Sequence, residues 1–302
     1  MSAAAETIEC ATIASEGWTV AVAPRRGAVL SCDYRGGEIL RRTAAQGGAD
    51  PFGVGHFPLA PYSNRIADGS FVFEGERYVI KPNVRGHPHP LHGTAWLGGW
   101  SLVARARDSL SLAFEHAAGA GWPWPFSLRQ TIGVDGPALT IGLTLKNMAD
   151  RAAPAGMGFH PYFSDPHAAR LSFEAAGLWE ADESALPVAW KPLSPSSDFS
   201  RGRPLAGASI DNCFTGWKGP ARILWRDRPF GVEISASPDL AFAVLYVSQA
   251  QGCFCFEPVS HMNDALNWAA RRNDTGLRVL QPGESWTVSM TLRAFDAGNA
   301  AA

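Results

Sequence analysis

The chain has 302 residues, of which 46% are hydrophobic and 18% charged, so it carries enough apolar surface for a core and lacks the composition of a disordered protein. Its 26 basic and 28 acidic side chains give a formal net charge of -2, and neither sign collects into a long run. Nucleic acid and anionic membranes are therefore excluded as expected partners.

The N-terminal segment lacks a basic region followed by an apolar one, and no stretch is apolar for long enough to span a bilayer. The five cysteines form an odd set without a CxxC pair. Free thiols are typical of a reducing compartment, so we expect a cytoplasmic protein.

Short runs of alternating apolar and polar residues recur along the chain and predict strands. They cover residues 18–22, 71–80, 139–145 and 286–292. The second run contains a Glu-Gly pair at its middle, which predicts a hairpin turn. The best helical candidate is short, residues 261–272.

Many strands with few crossover helices favour antiparallel sheets packed as a sandwich or closed as a barrel, and disfavour a parallel α/β fold. Residues 187–204 are rich in proline and serine, but they contain Trp190 and Phe199 and further strand patterns follow them. We therefore predict that they form a surface loop inside a single domain, residues 1–302.

The first cluster of chemically interesting residues is Asn64 and Arg65, in a loop before the strand predicted at residue 71. An arginine here could lie on the surface or fix a turn, and the local pattern favours that interpretation. It could also bind sugar hydroxyls, because guanidinium supplies a fixed fork of donors and asparagine both donates and accepts.

The second cluster contains His87, His89 and His92. Three histidines so close could bind a metal ion. However, prolines between them favour an extended backbone, and no cysteine or carboxylate adjoins to complete a coordination sphere. Hydrogen bonding to a ligand is the better interpretation, with Trp96 available to stack on a sugar ring.

Two further segments carry groups that could transfer protons. His160 lies in an aromatic, extended stretch, where a structural and a catalytic histidine both fit. Strand alternation puts Phe254 and Phe256 on one face and Glu257 on the other, so a carboxylate ends an apolar strand. It must pair with an arginine or have a raised pKa, and the second alternative would make it a base near neutral pH. Glu284 follows Pro-Gly and is better explained by a turn.

In this order and spacing, the clusters resemble segments of the aldose 1-epimerase, or galactose mutarotase-like, family along nearly the whole chain. The resemblance rests on these segments: Asn64-Arg65-Ile66, Leu91-His92-Gly93, His160-Pro161-Tyr162-Phe163, Ile210-Asp211-Asn212-Cys213-Phe214, Phe256-Glu257 and Pro282-Gly283-Glu284.

The resemblance implies an all-β fold, a large antiparallel β-sandwich of the galactose mutarotase-like type, with a cleft across one sheet. By the same resemblance, Glu257 is the general base, His160 the general acid and His92 an aid at the ring oxygen. The residues implied to hold sugar hydroxyls are Asn64, Arg65 and Asp211. No metal or redox cofactor is implied, and we expect a monomer or homodimer acting on a free monosaccharide.

The sequence departs from the galactose-specific pattern in three places. Pro258 to His261 replace the Thr-Gln that follows the glutamate in many such members, residues 237–241 lack a sugar-contacting glutamine, and Thr94-Ala95-Trp96 resembles a less characterised bacterial branch. Galactose is therefore not implied as the preferred sugar.

Three other functions fit parts of the pattern. A glycoside hydrolase would use two facing carboxylates, for example Glu257 and Asp211. A phosphosugar epimerase would need a basic cluster, for which Arg65 and Arg85 are the candidates near these segments. A sugar-binding or regulatory module would keep the cleft without the chemistry.

Overall fold

The computed structural model describes residues 10–43 and 50–299, and strands dominate them. In these residues we number 24 strands: β1 Ala11–Ser15, β2 Trp18–Ala23, β3 Ala28–Tyr34, β4 Gly37–Leu40, β5 His56–Leu59, β6 Ser70–Phe73, β7 Glu76–Val79, β8 Ser101–Arg105, β9 Ser109–His116, β10 Phe126–Asp135, β11 Ala138–Asn147, β12 Ala153–Ala155, β13 Gly158–Ser164, β14 Ala169–Ser172, β15 Gly177–Ala181, β16 Pro187–Pro192, β17 Arg203–Pro204, β18 Ile210–Thr215, β19 Ala221–Trp225, β20 Phe230–Ala236, β21 Phe242–Ser248, β22 Cys253–Val259, β23 Arg278–Leu280 and β24 Ser285–Asp296.

The described helices are short. One α-helix, α1, spans Ala265–Trp268, and four 3-10 turns span Pro24–Arg26, Ala67–Gly69, Ala95–Leu97 and Ala297–Asn299. None of the described helices has the length and apolar character needed to cross a membrane.

Two large antiparallel sheets hold most of the described strands, and β6-β7 and β12-β23 form two small sheets. The site sheet has eleven strands in the order β1-β2-β3-β4-β13-β22-β21-β18-β15-β16, with β5 paired to β13 and β3. The back sheet has nine, in the order β17-β14-β19-β20-β24-β11-β10-β9-β8. The predicted all-β antiparallel architecture is confirmed.

One hydrophobic core joins the inner faces of the two sheets. It contains Ile132, Leu143 and Val288 from the back sheet together with Phe254 and Phe256 from β22 of the site sheet. Full burial of such side chains stabilises the fold by about 1.5 to 3 kcal/mol each. Because alternate residues point to opposite faces, Cys253, Cys255 and Glu257 of β22 must face away from this core.

The strands predicted from alternation are confirmed. Residues 18–22 lie in β2, residues 71–80 fold as the hairpin of β6 and β7, and residues 139–145 and 286–292 lie in β11 and β24. The predicted helix, residues 261–272, is realised only as α1.

The expectation for residues 187–204 is wrong at both ends of the segment. Its start is β16, which pairs with β15 at an edge of the site sheet, and its end includes β17 at an edge of the back sheet. Prolines are tolerated at sheet edges because the missing N–H faces no neighbour there. Between the strands, Phe199 is 2% exposed and packs in the core.

Candidate active site

Four neighbouring strands of the site sheet carry polar side chains in register. Asp211 on β18 pairs with Tyr246 on β21, which pairs with Cys255 on β22, which pairs with Tyr162 on β13. These residues form a row across the sheet, on the face opposite to the core that holds Phe254 and Phe256.

A second row lies two residues along the strands. Glu257 pairs with Val244 on β21, and the register of β13 with β22 puts His160 opposite Glu257. His160 Nε2 lies 3.3 Å from Glu257 Oε1, and both residues are buried. The general acid and base implied by the resemblance therefore meet on adjacent strands.

A cavity of about 650 Å³ lies over these two rows, a size suited to a small molecule. Its lining includes six of the seven site residues singled out from the sequence: Asn64, Arg65, His92, His160, Asp211 and Glu257.

Trp96 is the exception, since it does not line this cavity. It is 3% exposed, and its indole N–H donates to Leu91 O at 3.1 Å. The ring stacks on Phe57 with 4.9 Å between centroids and meets the edge of His92. The structure thus gives Trp96 a supporting position behind His92 instead of a ring face open to a sugar.

Two loops cross at the cavity wall and fix each other. Isolated bridges join Ala60 to Gly93 and Arg65 to Leu91. The Asn64 N–H donates to His92 Nδ1 at 3.1 Å, and the His92 N–H donates to the Asn64 carbonyl at 2.9 Å. A neutral His92 whose Nδ1 accepts must carry its proton on Nε2 and can donate from there.

Arg65 is held from both sides. Its backbone and side-chain N–H groups each donate to Asn64 Oδ1 at 3.0 Å, and its carbonyl accepts from the Asp264 N–H at 3.0 Å. Asp264 in turn accepts from the Ala67 N–H at 2.9 Å. The arginine is therefore a preorganised donor at the cavity, and not a loose surface residue.

Burial dominates the electrostatics of the acid–base pair. It raises the pKa of Glu257 well above the usual value, the charge of Asp211 raises it further, and Arg65 opposes both. Burial lowers the pKa of His160 to about 3, with the positive charges of His56 and Arg41 acting in the same direction. Burial therefore favours the uncharged forms of both groups, a neutral carboxyl beside a neutral imidazole, which share one titratable proton.

The alternatives left open for these two residues are answered by their contacts. Glu257 pairs with an imidazole instead of an arginine. Glu257 Oε2 and His160 Nδ1 are buried without a hydrogen-bond partner among the described residues. Buried polar atoms are normally paired, so this histidine is not a satisfied core residue and the pair has unused bonding capacity.

The three clustered histidines point in different directions. His87 lines the cavity, His89 Nδ1 accepts from the Asp68 N–H at 3.0 Å, and His92 Nδ1 is occupied by Asn64. Within the described ranges they do not form a group able to share a metal ion. The interpretation of this segment as a metal site is not supported.

His261 was singled out only as a departure from the galactose-specific pattern, and the structure gives it a structural role. Its Nε2 accepts from the Ser63 N–H at 3.0 Å, and its Nδ1–H donates to the Met262 carbonyl at 2.7 Å. Burial lowers its pKa to about 4. It ties the loop that carries Asn64 to the chain after β22.

Sequence reasoning missed other lining residues, notably Arg41 and Tyr246, and used Tyr162 only as part of a motif. The Arg41 guanidinium lies 4.1 Å from the Tyr162 ring centroid and donates to the carbonyls of Phe52 and Val54. Alternation from His160 could have placed Tyr162 on the cavity face. No local pattern marks Arg41, which comes just after a short strand.

The chain is thus a β-sandwich with a polar cavity over a buried imidazole–carboxylate pair, and cavities of this size suit small molecules. The family model for aldose 1-epimerase matches residues 9–293. The chain belongs to the aldose 1-epimerase family.

Individual relatives agree with this membership. The uncharacterised protein YphB of Escherichia coli K12 is 34% identical over 245 residues, 78% of this chain and 82% of the relative. A solved Escherichia coli K12 structure with a provisional aldose 1-epimerase assignment has a TM-score of 0.88 at 30% identity, covering 95% of this chain and 99% of that one. A galactose mutarotase-like protein from Clostridium acetobutylicum shares the fold, with a TM-score of 0.86 at 19% identity and 95% coverage of both chains.

Proposed function

We propose that this protein is an aldose 1-epimerase that interconverts the α and β anomers of a free monosaccharide. The observation that carries the proposal is the 3.3 Å contact between His160 Nε2 and Glu257 Oε1 in a polar cavity. The anomeric hydroxyl oxygen and the ring oxygen of an aldose are bonded to the same carbon. A base and an acid that act on both oxygens must therefore lie close together.

The reaction needs two proton transfers in each direction. The Glu257 carboxylate removes the proton of the anomeric hydroxyl as the bond from C1 to the ring oxygen breaks, and protonated His160 gives its proton to that oxygen. The open chain carries a C1 carbonyl, and rotation about C1–C2 presents its other face. Closure reverses both transfers and restores the two groups.

The electrostatics support this cycle. Ring opening converts a carboxylate and an imidazolium into a neutral carboxyl and a neutral imidazole, and burial favours the neutral forms of both groups. The buried environment therefore stabilises the neutral carboxyl and neutral imidazole that are present when the sugar is open. This offsets part of the free-energy cost of opening the ring.

The remaining polar groups suit sugar hydroxyls. Asn64 and Arg65 are preorganised by their own hydrogen bonds, and the Asp211 carboxylate, which also lines the cavity, supplies acceptors. His92 faces His160 with 5.1 Å between ring centroids, and its Nε2–H is free to donate to the ring oxygen. These contacts would hold the anomeric centre between His160 and Glu257.

The alternatives fit the cavity less well. A hydrolase would use Glu257 with a second carboxylate across the bond, such as Asp211, whereas the group in contact with Glu257 is the His160 imidazole. A phosphate would need an excess of basic groups, yet the lining balances Arg41 and Arg65 with acidic side chains, and Arg85 is not part of it. A mere binding protein would not need an acid–base pair with unpartnered buried atoms.

We further propose that the protein acts in the cytoplasm, as a monomer or homodimer, on a neutral sugar. The five free cysteines favour a reducing compartment. The balanced charge of the cavity lining supports the neutral substrate.

Polarimetry on freshly dissolved pure anomers tests the function. We expect the protein to speed equilibration of one or more of galactose, glucose, xylose, arabinose, fucose and rhamnose. A panel in which no sugar responds would contradict the mutarotase proposal and favour the binding function.

The first prediction concerns Glu257→Gln, which keeps the shape of the side chain but removes the base. Mutarotation should fall by about a hundredfold to ten-thousandfold, while circular dichroism and thermal unfolding stay close to those of the parent. Glu284→Gln is the matched control, because Glu284 lies in a turn where it accepts from the Gln281 N–H. Near-parental rates in Glu257→Gln would refute the assignment of the base.

A further inference from the structure

Three side chains of the kinds that bind metal ions meet beneath the cavity: His160, Cys255 and Glu257. One ligand atom from each lies within 4.8 Å of the other two, and all three residues are buried. The sheet register explains the cluster. Cys255 and Glu257 are alternate residues on one face of β22, and His160 lies opposite Glu257 on β13.

The donor set of one nitrogen, one sulfur and one oxygen suits Zn²⁺, whereas Mg²⁺ and Ca²⁺ prefer oxygen alone. Tetrahedral ligands at zinc distances lie about 3.3 to 3.8 Å apart. The His160 Nε2 to Glu257 Oε1 separation is already 3.3 Å. The cysteine sulfur needs to approach by no more than about 1 Å to complete three ligands.

A second observation points to a ligand here. His160 Nδ1 and Glu257 Oε2 are buried and have no hydrogen-bond partner among the described residues. If a cation takes Nε2, the imidazole proton moves to Nδ1, where no existing hydrogen bond is lost. Both carboxylate oxygens are similarly available, and the cavity above supplies an entry path and an open fourth position for water.

We propose that His160, Cys255 and Glu257 form an inhibitory binding site for Zn²⁺. Binding displaces the protons of the Cys255 thiol and the Glu257 carboxyl into solvent and forms bonds from sulfur, oxygen and nitrogen to the cation. It occupies the lone pairs that move protons in the proposed reaction, so mutarotation stops. The inhibition rests on the proposed function, whereas the metal site does not.

Binding is measured without any activity by using Co²⁺ in place of Zn²⁺, because a thiolate bound to Co²⁺ gives a near-ultraviolet charge-transfer band. The test uses tag-free protein carrying Cys10→Ser, which removes the exposed thiol. We expect the band in this background and its loss on adding Cys255→Ser. Cys253→Ser is the matched control, because Cys253 is a buried cysteine on the same face of β22, two residues away. The site is refuted if no band forms, or if it persists without the Cys255 sulfur.

Inhibition is measured by polarimetry with added Zn²⁺, each variant relative to its own rate. The half-inhibitory concentration should rise about tenfold or more in Cys255→Ser and stay at the parental value in Cys253→Ser. Equal sensitivity in both variants would overturn the inhibitory role. If the parent has no mutarotase activity, the proposed function fails while the Co²⁺ band still decides the site. Cys255→Ala repeats both measurements without placing a hydroxyl in the core.

Discussion

The protonation of Glu257, next to His160, depends on side chains from several parts of the fold. Burial is the main cause that disfavours the charged forms of both groups, and neighbouring charges adjust how easily Glu257 becomes a carboxylate. Asp211 on β18 and Arg65 in the crossing loop act on it in opposite directions. The side chains that control the base therefore come from different parts of the sequence.

This balance predicts the effect of Asp211→Asn. The negative charge of Asp211 raises the pKa of Glu257, so removing it should lower that pKa. The pair reacts while it holds one titratable proton, and His160 has the lower pKa, about 3, so loss of the proton from Glu257 sets the alkaline limb of the kcat/KM profile. We expect that limb to shift to lower pH. The titratable or charged side chains that face Glu257 are His160, Asp211 and Arg65. Other groups nearby stay neutral because burial raises their pKa, namely Cys213, Cys255 and Tyr162.

The measurement is the rate of mutarotation against pH, with KM recorded because a hydroxyl ligand is also altered. Asp135→Asn is the control, since Asp135 is exposed at the end of β10. An alkaline limb that stays in place in Asp211→Asn would contradict the assigned coupling.

At the residue scale, the order of the motifs along the chain singled out residues that no local sequence pattern could distinguish. The sequence predicts Glu257 at the polar end of an apolar strand, and the structure has that alternation, with Phe254 and Phe256 in the core. It could not predict that His160 and Glu257 are 3.3 Å apart, because their strands pair across almost a hundred residues of chain. The sequence could not show that Trp96 packs behind His92 and does not line the cavity. An aromatic side chain near a site can support a neighbouring site residue as easily as contact the ligand.

At the scale of elements, the crossing of two loops decides where His92 stands. Gly93 has a φ of +72°, and a Cβ at this position would lie 2.1 Å from the Ala60 carbonyl oxygen. The same oxygen accepts from the N–H groups of Thr94 and Ala95. Only glycine allows the two backbones to approach this closely without strain.

Gly93→Ala should therefore destabilise the protein by more than the roughly 1 to 2 kcal/mol that a left-handed conformation costs an ordinary residue. It should also slow mutarotation, because the displaced loop carries His92. Urea unfolding and polarimetry measure the two effects.

Gly136→Ala provides the comparison, since Gly136 has a φ of +54° in the turn between β10 and β11 but no neighbouring atom within 4 Å of its would-be Cβ. We expect it to show the conformational cost alone and near-parental activity. Equal losses in the two variants would show that the close approach at Ala60 is unimportant.

Elements were predicted well where alternation was long and one face was apolar, as in β11 and β24. They were missed where proline interrupted the pattern. β16 begins and ends with proline, yet its pairing with β15 compensates at the sheet edge. Its Trp190, 42% exposed, donates to Thr215 Oγ1, a contact across the sheet that no local pattern indicates.

At the scale of the whole molecule, buried neutral histidines make stability depend on pH. The pKa of His261 is about 4 in the folded protein, below the 6.5 of an exposed imidazole, because of burial. The unfolded chain therefore takes up the proton first. The stability associated with His261 is fully present above pH 6.5 and is lost as the pH falls towards 4.

His261→Gln should flatten this dependence, because glutamine can accept from the Ser63 N–H and donate to the Met262 carbonyl without titrating. The free energy of unfolding of the parent minus that of the variant should fall by roughly 1.4 kcal/mol per pH unit between about pH 6 and 4.5. Urea unfolding across this range is the measurement. A difference that does not change with pH would contradict a neutral buried His261.

The placement of the reacting groups has a consequence for how such proteins diversify. His160 and Glu257 stand on adjacent strands whose spacing the backbone ladder fixes, whereas Asn64, Arg65 and His92 come from connecting loops. Under the proposed function, insertions and exchanges in those loops would alter which sugar is accepted without separating His160 from Glu257. Substrate selectivity and proton transfer would therefore depend on different parts of the fold. A related protein could change its substrate while keeping the same pair of reacting groups.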